Sequence, residues 1–200
     1  NGIGCHNCNF KGIENLQSIE GEISNLFIKK FDCNQVKINW IGGEDQSSLV
    51  LGNGRPFFAK ILNPKRRNRI LRKTCDLEGV SLSELQKLPL QPKGSISFKS
   101  HVSITVDTKK SISLTQLKKL KILENTEIKD FSRNKRSLKK KIYKVGYKKL
   151  GKTSFILDLF ADGGISFKSL IQESDVVPNV SELLENQCEC KKFDFKNIVV

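Results

Sequence analysis

Residues 40–60 read WIGGEDQSSLVLGNGRPFFAK. An acidic pair, Glu44 and Asp45, follows two glycines and precedes two short apolar runs, 48–52 and 56–62. Between the runs stands Gly52-Asn53-Gly54-Arg55-Pro56. Asn-Gly accepts positive φ at both positions, so the spacing predicts a tight hairpin joining two strands. Upstream, Val36, Ile38 and Trp40 alternate as on a half-buried strand. The acidic pair therefore falls in a break at the end of an apolar strand. Such a break is either an exposed turn with its carboxylates in water or a carboxylate kept at the edge of a groove. The second arrangement costs desolvation and needs a use.

Working outward, 13–31 has a helical period, with Ile19, Ile23, Leu26, Phe27 and Phe31 on one face. Glu20 and Glu22 lie near its start and Lys29 and Lys30 near its end, in the order the helix dipole favours. Downstream, 82–88 predicts a short helix stopped by Pro89, and 94–106 a strand through Ile96, Phe98, Val102, Ile104 and Val106. Ser113 and Gln116 have the spacing of a capping box and open a short helix. Residues 128–149 lead through Gly151 into TSFILDLFA as a long hairpin. ISFKSLI and NVSELLEN predict short helices, and CKKFDFKNIVV a closing strand. Strands and helices mix without a βαβ rhythm. The expected class is α+β, with a mostly antiparallel mixed sheet and flanking helices.

The formal net charge is +14 over 200 residues, and 38% of them are hydrophobic. Such a chain buries a core and suits a polyanionic partner: RNA, DNA or an anionic membrane surface. Two basic stretches are the expected phosphate-contacting surfaces. One holds Lys65, Arg66, Arg67 and Arg69; the other holds Arg133, Lys135, Arg136, Lys139 and Lys140. A solvated basic face is the plain alternative for each. No apolar run is long enough to span a bilayer, and no signal-peptide pattern opens the chain, so the expected location is cytoplasmic.

Six cysteines occur, at 5, 8, 33, 75, 188 and 190. Cys5 and Cys8 form a CxxC knuckle, half of a structural zinc site, whose other half is either Cys188 with Cys190 or a pair outside this sequence. Unliganded thiols are the alternative. Cys33 and Cys75 are expected as small buried residues. The chain has no methionine, which suggests a fragment or processed product with a portion upstream. Residues 1–12 are expected to be the remnant of a CxxC-containing region, and 13–200 the main domain.

GGEDQSSLVLGNGRPFFAKILNPKRR resembles the catalytic motif of the tRNA pseudouridine synthase 10 family, above all in LGNGRPF. SIEGEISNLF, KSHVSITV, GGISFKSLI and VPNVSELL resemble further family segments, in the family's order. The resemblance implies a curved, mostly antiparallel sheet with RNA in a cleft. It implies isomerisation of uridine to pseudouridine in the tRNA T-loop, at positions 54/55. No cofactor is implied for catalysis. Asp45 takes the place of the catalytic aspartate, and Lys168 that of a lysine that keeps it ionised. Arg55 falls in the GRPF turn, where it braces the turn or meets substrate phosphate. The family usually carries a further upstream RNA-binding domain with CxxC pairs.

The chain departs from the family pattern at several places. Gly43 replaces an arginine, and Ser47 and Leu49 replace an acidic residue and its nearby arginine. His101 replaces a tyrosine that stacks on the target base, and Ser166 replaces another tyrosine. QESD replaces a Gly-Asp, and Thr126-Glu127 a Thr-Pro. His101 is thus a candidate for the stacking role. Two readings follow: an active, divergent synthase using Asp45, or a catalytically impaired RNA-binding relative. A zinc-knuckle module is a third, and it leaves LGNGRPF unexplained.

Overall fold

The computed structural model describes residues 17–43, 48–67, 74–77, 80–90, 92, 94, 96–131, 138–172 and 176–200. The domain expected from about residue 13 is built of two compact units. One takes the described residues of Asn1–Trp40 and Phe57–Gly94, the other those of Ile41–Pro56 and Ser95–Val200.

The first unit sets helix α1 (Ile19–Phe31) on the hairpin of β1 (Gln35–Trp40) and β2 (Phe57–Leu62). Ser18 caps α1 by accepting from the Gly21 N–H, and Asp32 ends it in the left-handed region. Ile23, Phe27 and Phe31 face Val36 and Ile38 in the core, whereas Ile19 is exposed, because the helix begins there and its side chain overhangs the first turn. Trp40 packs tilted against Phe57, with ring centroids 5.3 Å apart, and donates its indole N–H to Glu20 at 3.1 Å. Cys33 is buried, and burial pushes its thiol pKa up, as expected of an apolar-behaving cysteine. Cys75 is only half-buried, in the small hairpin of β3 (Cys75–Leu77) and β4 (Val80–Leu82). That hairpin occupies the start of the helix expected at 82–88. Glu84 takes a left-handed φ of 54°, which no helix interior accepts.

The expected hairpin across Gly-Asn-Gly-Arg-Pro does not form. β2 pairs instead with β1, in register from Gln35 with Leu62 to Trp40 with Phe57. The 48–52 run makes a single parallel bridge, Val50 with Phe195. Its backbone groups are taken by that neighbour: Leu51 N–H donates to Phe195 O and Phe195 N–H to Leu49 O, each 2.8 Å. Positive φ falls on Gly52 and Gly54, on either side of Asn53. A Cβ on Gly52 would stand 2.5 Å from Lys196 O, so only glycine allows this close approach.

The second unit is a six-stranded sheet in the order β10-β5-β8-β7-β6-β9. The strands are β5 (Lys99–Thr108), β6 (Glu127–Asp130), β7 (Leu138–Lys149), β8 (Ser154–Asp162), β9 (Val176–Val177) and β10 (Cys188–Val199), and each neighbouring pair is antiparallel. β5 starts at Lys99, later than the sequence predicts; Phe98 leads into it. Residues of β5 and β8 alternate between a covered and an open face, and those of β10 do so with the phase shifted at two bulges. Val102, Ile104, Val106, Phe155, Leu157 and Leu159 fill the covered face. It is closed by α2 (Leu114–Lys118) with its 3-10 continuation Lys119–Leu123, by α3 (Phe167–Ile171) and by α4 (Val180–Leu184). The Ser113–Gln116 capping box forms as predicted, and Leu117, Leu120 and Leu123 are fully buried behind it. The long β7–β8 hairpin and the α3 and α4 helices also match the sequence expectations. The fold is α+β with a curled, antiparallel six-stranded sheet, the class expected from the sequence.

Candidate active site

Asp45 lies outside the described residues, but both of its flanks are placed. Before it, Gly42 turns with φ of 82°, and a Cβ there would meet the Phe98 ring at 3.6 Å and Ile198 Cδ1 at 3.7 Å. Arg55 donates from Nε to Ile41 O at 3.2 Å and from a terminal nitrogen to Gly42 O. Its guanidinium thus braces the loop, satisfying two carbonyls at once. Behind Asp45, Leu49 N–H donates to Asp194 Oδ1 at 2.8 Å, and Val50 lies against Phe195. The following flank is therefore fastened to β10 at Asp194 and Phe195, and the preceding flank to Arg55.

Helix α3 is fastened to the same strand. The Phe167 ring packs 5.5 Å from Phe193 and 6.0 Å from Phe195. Lys168 follows directly and is an exposed residue of the same helix. The start of α3 is held by polar contacts. Ser166 N–H donates to the buried Asp130 carboxylate at 3.4 Å, and Ser166 Oγ accepts from Ser169 N–H at 3.4 Å. Ahead of it, Gly163 N–H donates to Phe98 O at 2.7 Å. A Cβ on Gly163 would fall 2.3 Å from the Phe98 ring, so Phe98 occupies the space that glycine leaves. Phe98, Gly163 and Asp130 are site-forming residues that sequence reasoning missed. Their signal, a glycine facing an aromatic across a strand end, exists only once β5 and β8 are paired.

The remaining candidates are spread over the molecule. His101 is exposed on the open face of the sheet, stacked on Phe160 at 4.3 Å with 28° between the rings. Lys140 extends to the turn before α3: its Nζ is 3.8 Å from where a Gly164 side chain would begin. Lys139 points elsewhere and pairs with Glu127 at 3.1 Å. Lys65, Arg66 and Arg67 are exposed after β2, in the first unit, where the backbone N–H groups of Lys65 and Arg66 cap the end of α1. Arg69, Arg133, Lys135 and Arg136 lie outside the described residues, as do Cys5 and Cys8. Cys188 and Cys190 are buried in β10, with Cys188 Sγ donating to Asn186 O at 3.2 Å. Among the described residues no cluster of His, Cys, Asp and Glu could hold a metal ion, and no helix is long and apolar enough to cross a membrane.

The family model described as "Pus10, C-terminal" matches residues 6–199. The chain belongs to the tRNA pseudouridine synthase 10 family. Among relatives of this synthase family, "tRNA pseudouridine synthase Pus10" of Nitrosopumilus maritimus is 39% identical over all of this chain and 52% of its own length. The protein of the same name from Cenarchaeum symbiosum is 35% identical, again over the whole chain and 49% of the relative. That from Methanocaldococcus jannaschii is 31% identical over 98% of this chain and 47% of the relative. The chain thus spans about half the length of these curated relatives. A chain of a Cbf5–Nop10–Gar1 complex shares the fold, with a TM-score of 0.52 over 88% of this chain, 44% of that chain and 10% identity.

Proposed function

We propose that this chain is the catalytic half of a tRNA pseudouridine synthase and isomerises a uridine of the T-loop, at position 54 or 55. The observation that carries the reading is the match of the entire chain, at 39% identity, to a protein named for that activity. The local geometry supports it, because the Val50 segment that follows Asp45 in the chain and the helix bearing Lys168 both meet β10 at Phe195. In the reaction the C1′–N1 bond of uridine breaks, the base turns, and a C1′–C5 bond forms. N1 gains a proton and C5 loses one, so no net atom is added. The carboxylate of Asp45 acts beside the sugar while ionised, and the Lys168 ammonium keeps it so; a cation next to a carboxylate lowers its pKa. Reaching a base from a folded loop requires flipping it out of its stack. His101 on the open face is a stacking partner for the extruded base.

A T-loop RNA tritiated at uridine C5 tests this. Wild type is expected to release tritium and Asp45→Ala to release none while binding RNA with similar affinity. Equal release by Asp45→Ala would refute the role of the carboxylate. No release by wild type, with RNA still bound, would support the second reading, an impaired RNA-binding relative. That reading is favoured by glycine, histidine and serine at 43, 101 and 166, where the family resemblance implies arginine and two tyrosines.

A further inference from the structure

The open face of the six-stranded sheet carries three rings in a row across strands β5, β8 and β7. His101 stacks on Phe160 at 4.3 Å, and Tyr143 tilts against the other side of Phe160 at 5.5 Å. Cross-strand aromatic pairs commonly stabilise sheets, and this alone assigns no role. Two further observations do. First, the Tyr143 ring is fixed from its edge: its hydroxyl donates to Asp162 Oδ1 at 2.9 Å, while Lys141 N–H donates to the other oxygen at 2.8 Å. Second, two ammonium groups stand over that ring, Lys99 at 4.3 Å and Lys141 at 5.5 Å from its centroid. Among the described residues no carboxylate pairs with either. Farther along the same face, by contrast, Lys196 is matched by Asp158 at 2.7 Å, and Lys192 by Asp194 at 3.1 Å. At the rings, two ammonium groups stand near one carboxylate, Asp162, so this end of the face keeps a net positive charge.

We propose that Phe160 and Tyr143, next to His101, form a ledge on which a second, unpaired RNA base stacks, with Lys99 and Lys141 holding the adjoining phosphates. The proposal rests on the synthase reading for its choice of RNA and extends it to a nucleotide beside the target uridine. Rings and an excess of cations side by side match a base and its phosphate, because stacking tolerates any base and the cations supply the backbone attraction. An acidic protein segment would satisfy the lysines, but the net charge of +14 and the family place RNA first. The ledge runs straight into the candidate site. Phe160 precedes Asp162 by two residues, about 7 Å along the strand, and the Gly163–Gly164 turn to α3 follows at once.

The test uses this 200-residue chain and a T-arm stem-loop RNA carrying 2-aminopurine at an unpaired loop position. Wild type is expected to quench the fluorescence on binding. Phe160→Leu and Tyr143→Leu should quench less and bind about 5- to 150-fold more weakly. Tyr143→Phe, which keeps the ring but loses the hydroxyl that fixes it, should fall between wild type and Tyr143→Leu. Lys99→Gln should lower the slope of log affinity against log salt by about 0.7. Leucine variants that bind and quench like wild type, while wild type still releases tritium, would overturn the ledge and leave the synthase reading standing. Failure of wild type to bind the RNA at all would overturn both. Should the leucine variants melt early, the lysine variants decide, and an unchanged salt slope for both Lys99→Gln and Lys141→Gln overturns the proposal. A polyglutamate peptide whose binding alone weakens in Tyr143→Leu would make the face a protein-docking surface instead.

Discussion

The two faces of the six-stranded sheet are made from the same strands and share one backbone, yet they are built for opposite ends. On β5, Val102, Ile104 and Val106 turn to the covered face and are at most 1% exposed. His101, Ser103 and Thr105, their direct neighbours, turn to the open one. The period of two in a strand sorts residues so cleanly that stability and recognition are encoded in alternate letters. Burial of apolar surface makes the covered face intolerant of change; the open face is free to carry charge and rings.

The contrast can be broken most severely from the covered side. Phe155→Ala removes a fully buried ring facing Val106, and a loss of about 3–5 kcal/mol is expected in denaturant unfolding. A loss under 1 kcal/mol would mean that the sheet has a looser core than its burial implies. Gly163→Ala probes the strand end where the faces meet. Its new methyl group collides with the Phe98 ring, and overpacking of about 1–3 kcal/mol is expected. Combining it with Phe98→Ala should recover part of that loss, because the two residues compete for one space. Strict additivity in the double-mutant cycle would place the collision elsewhere. The smallest effect belongs to the open face: Ser103→Ala, midway along β5, should change stability by no more than about 0.5 kcal/mol and sharpen the contrast with its neighbours.

The candidate site shows why one turn was misjudged while its surroundings were legible. Gly-Asn-Gly is a hairpin signal when the flanking runs can pair only with each other. Here the outer edge of β10 accepts the first run through Val50, and β1 accepts the second. Edge availability is a tertiary property, and it overrode the local preference. The helix expected at 82–88 failed for a similar reason, since Val80–Leu82 was claimed by pairing with β3. Arg55, open to two readings in the sequence, reaches two backbone carbonyls of its loop.

Sequence alone determined the class of fold, the capping box at Ser113, the long β7–β8 hairpin and the family, because alternation, caps and a rare string such as LGNGRPF are local properties of the chain. Only the tertiary structure decided which strand ends meet. It brought Gly42 and Gly163 to the Phe98 ring, fastened the α3 helix and the Val50 segment to one strand, and set Tyr143 beside Phe160. These neighbours are far apart along the chain, and their meeting depends on strand order and register. Burial free energy, summed over the whole covered face, fixes that register, and no single stretch of sequence carries it.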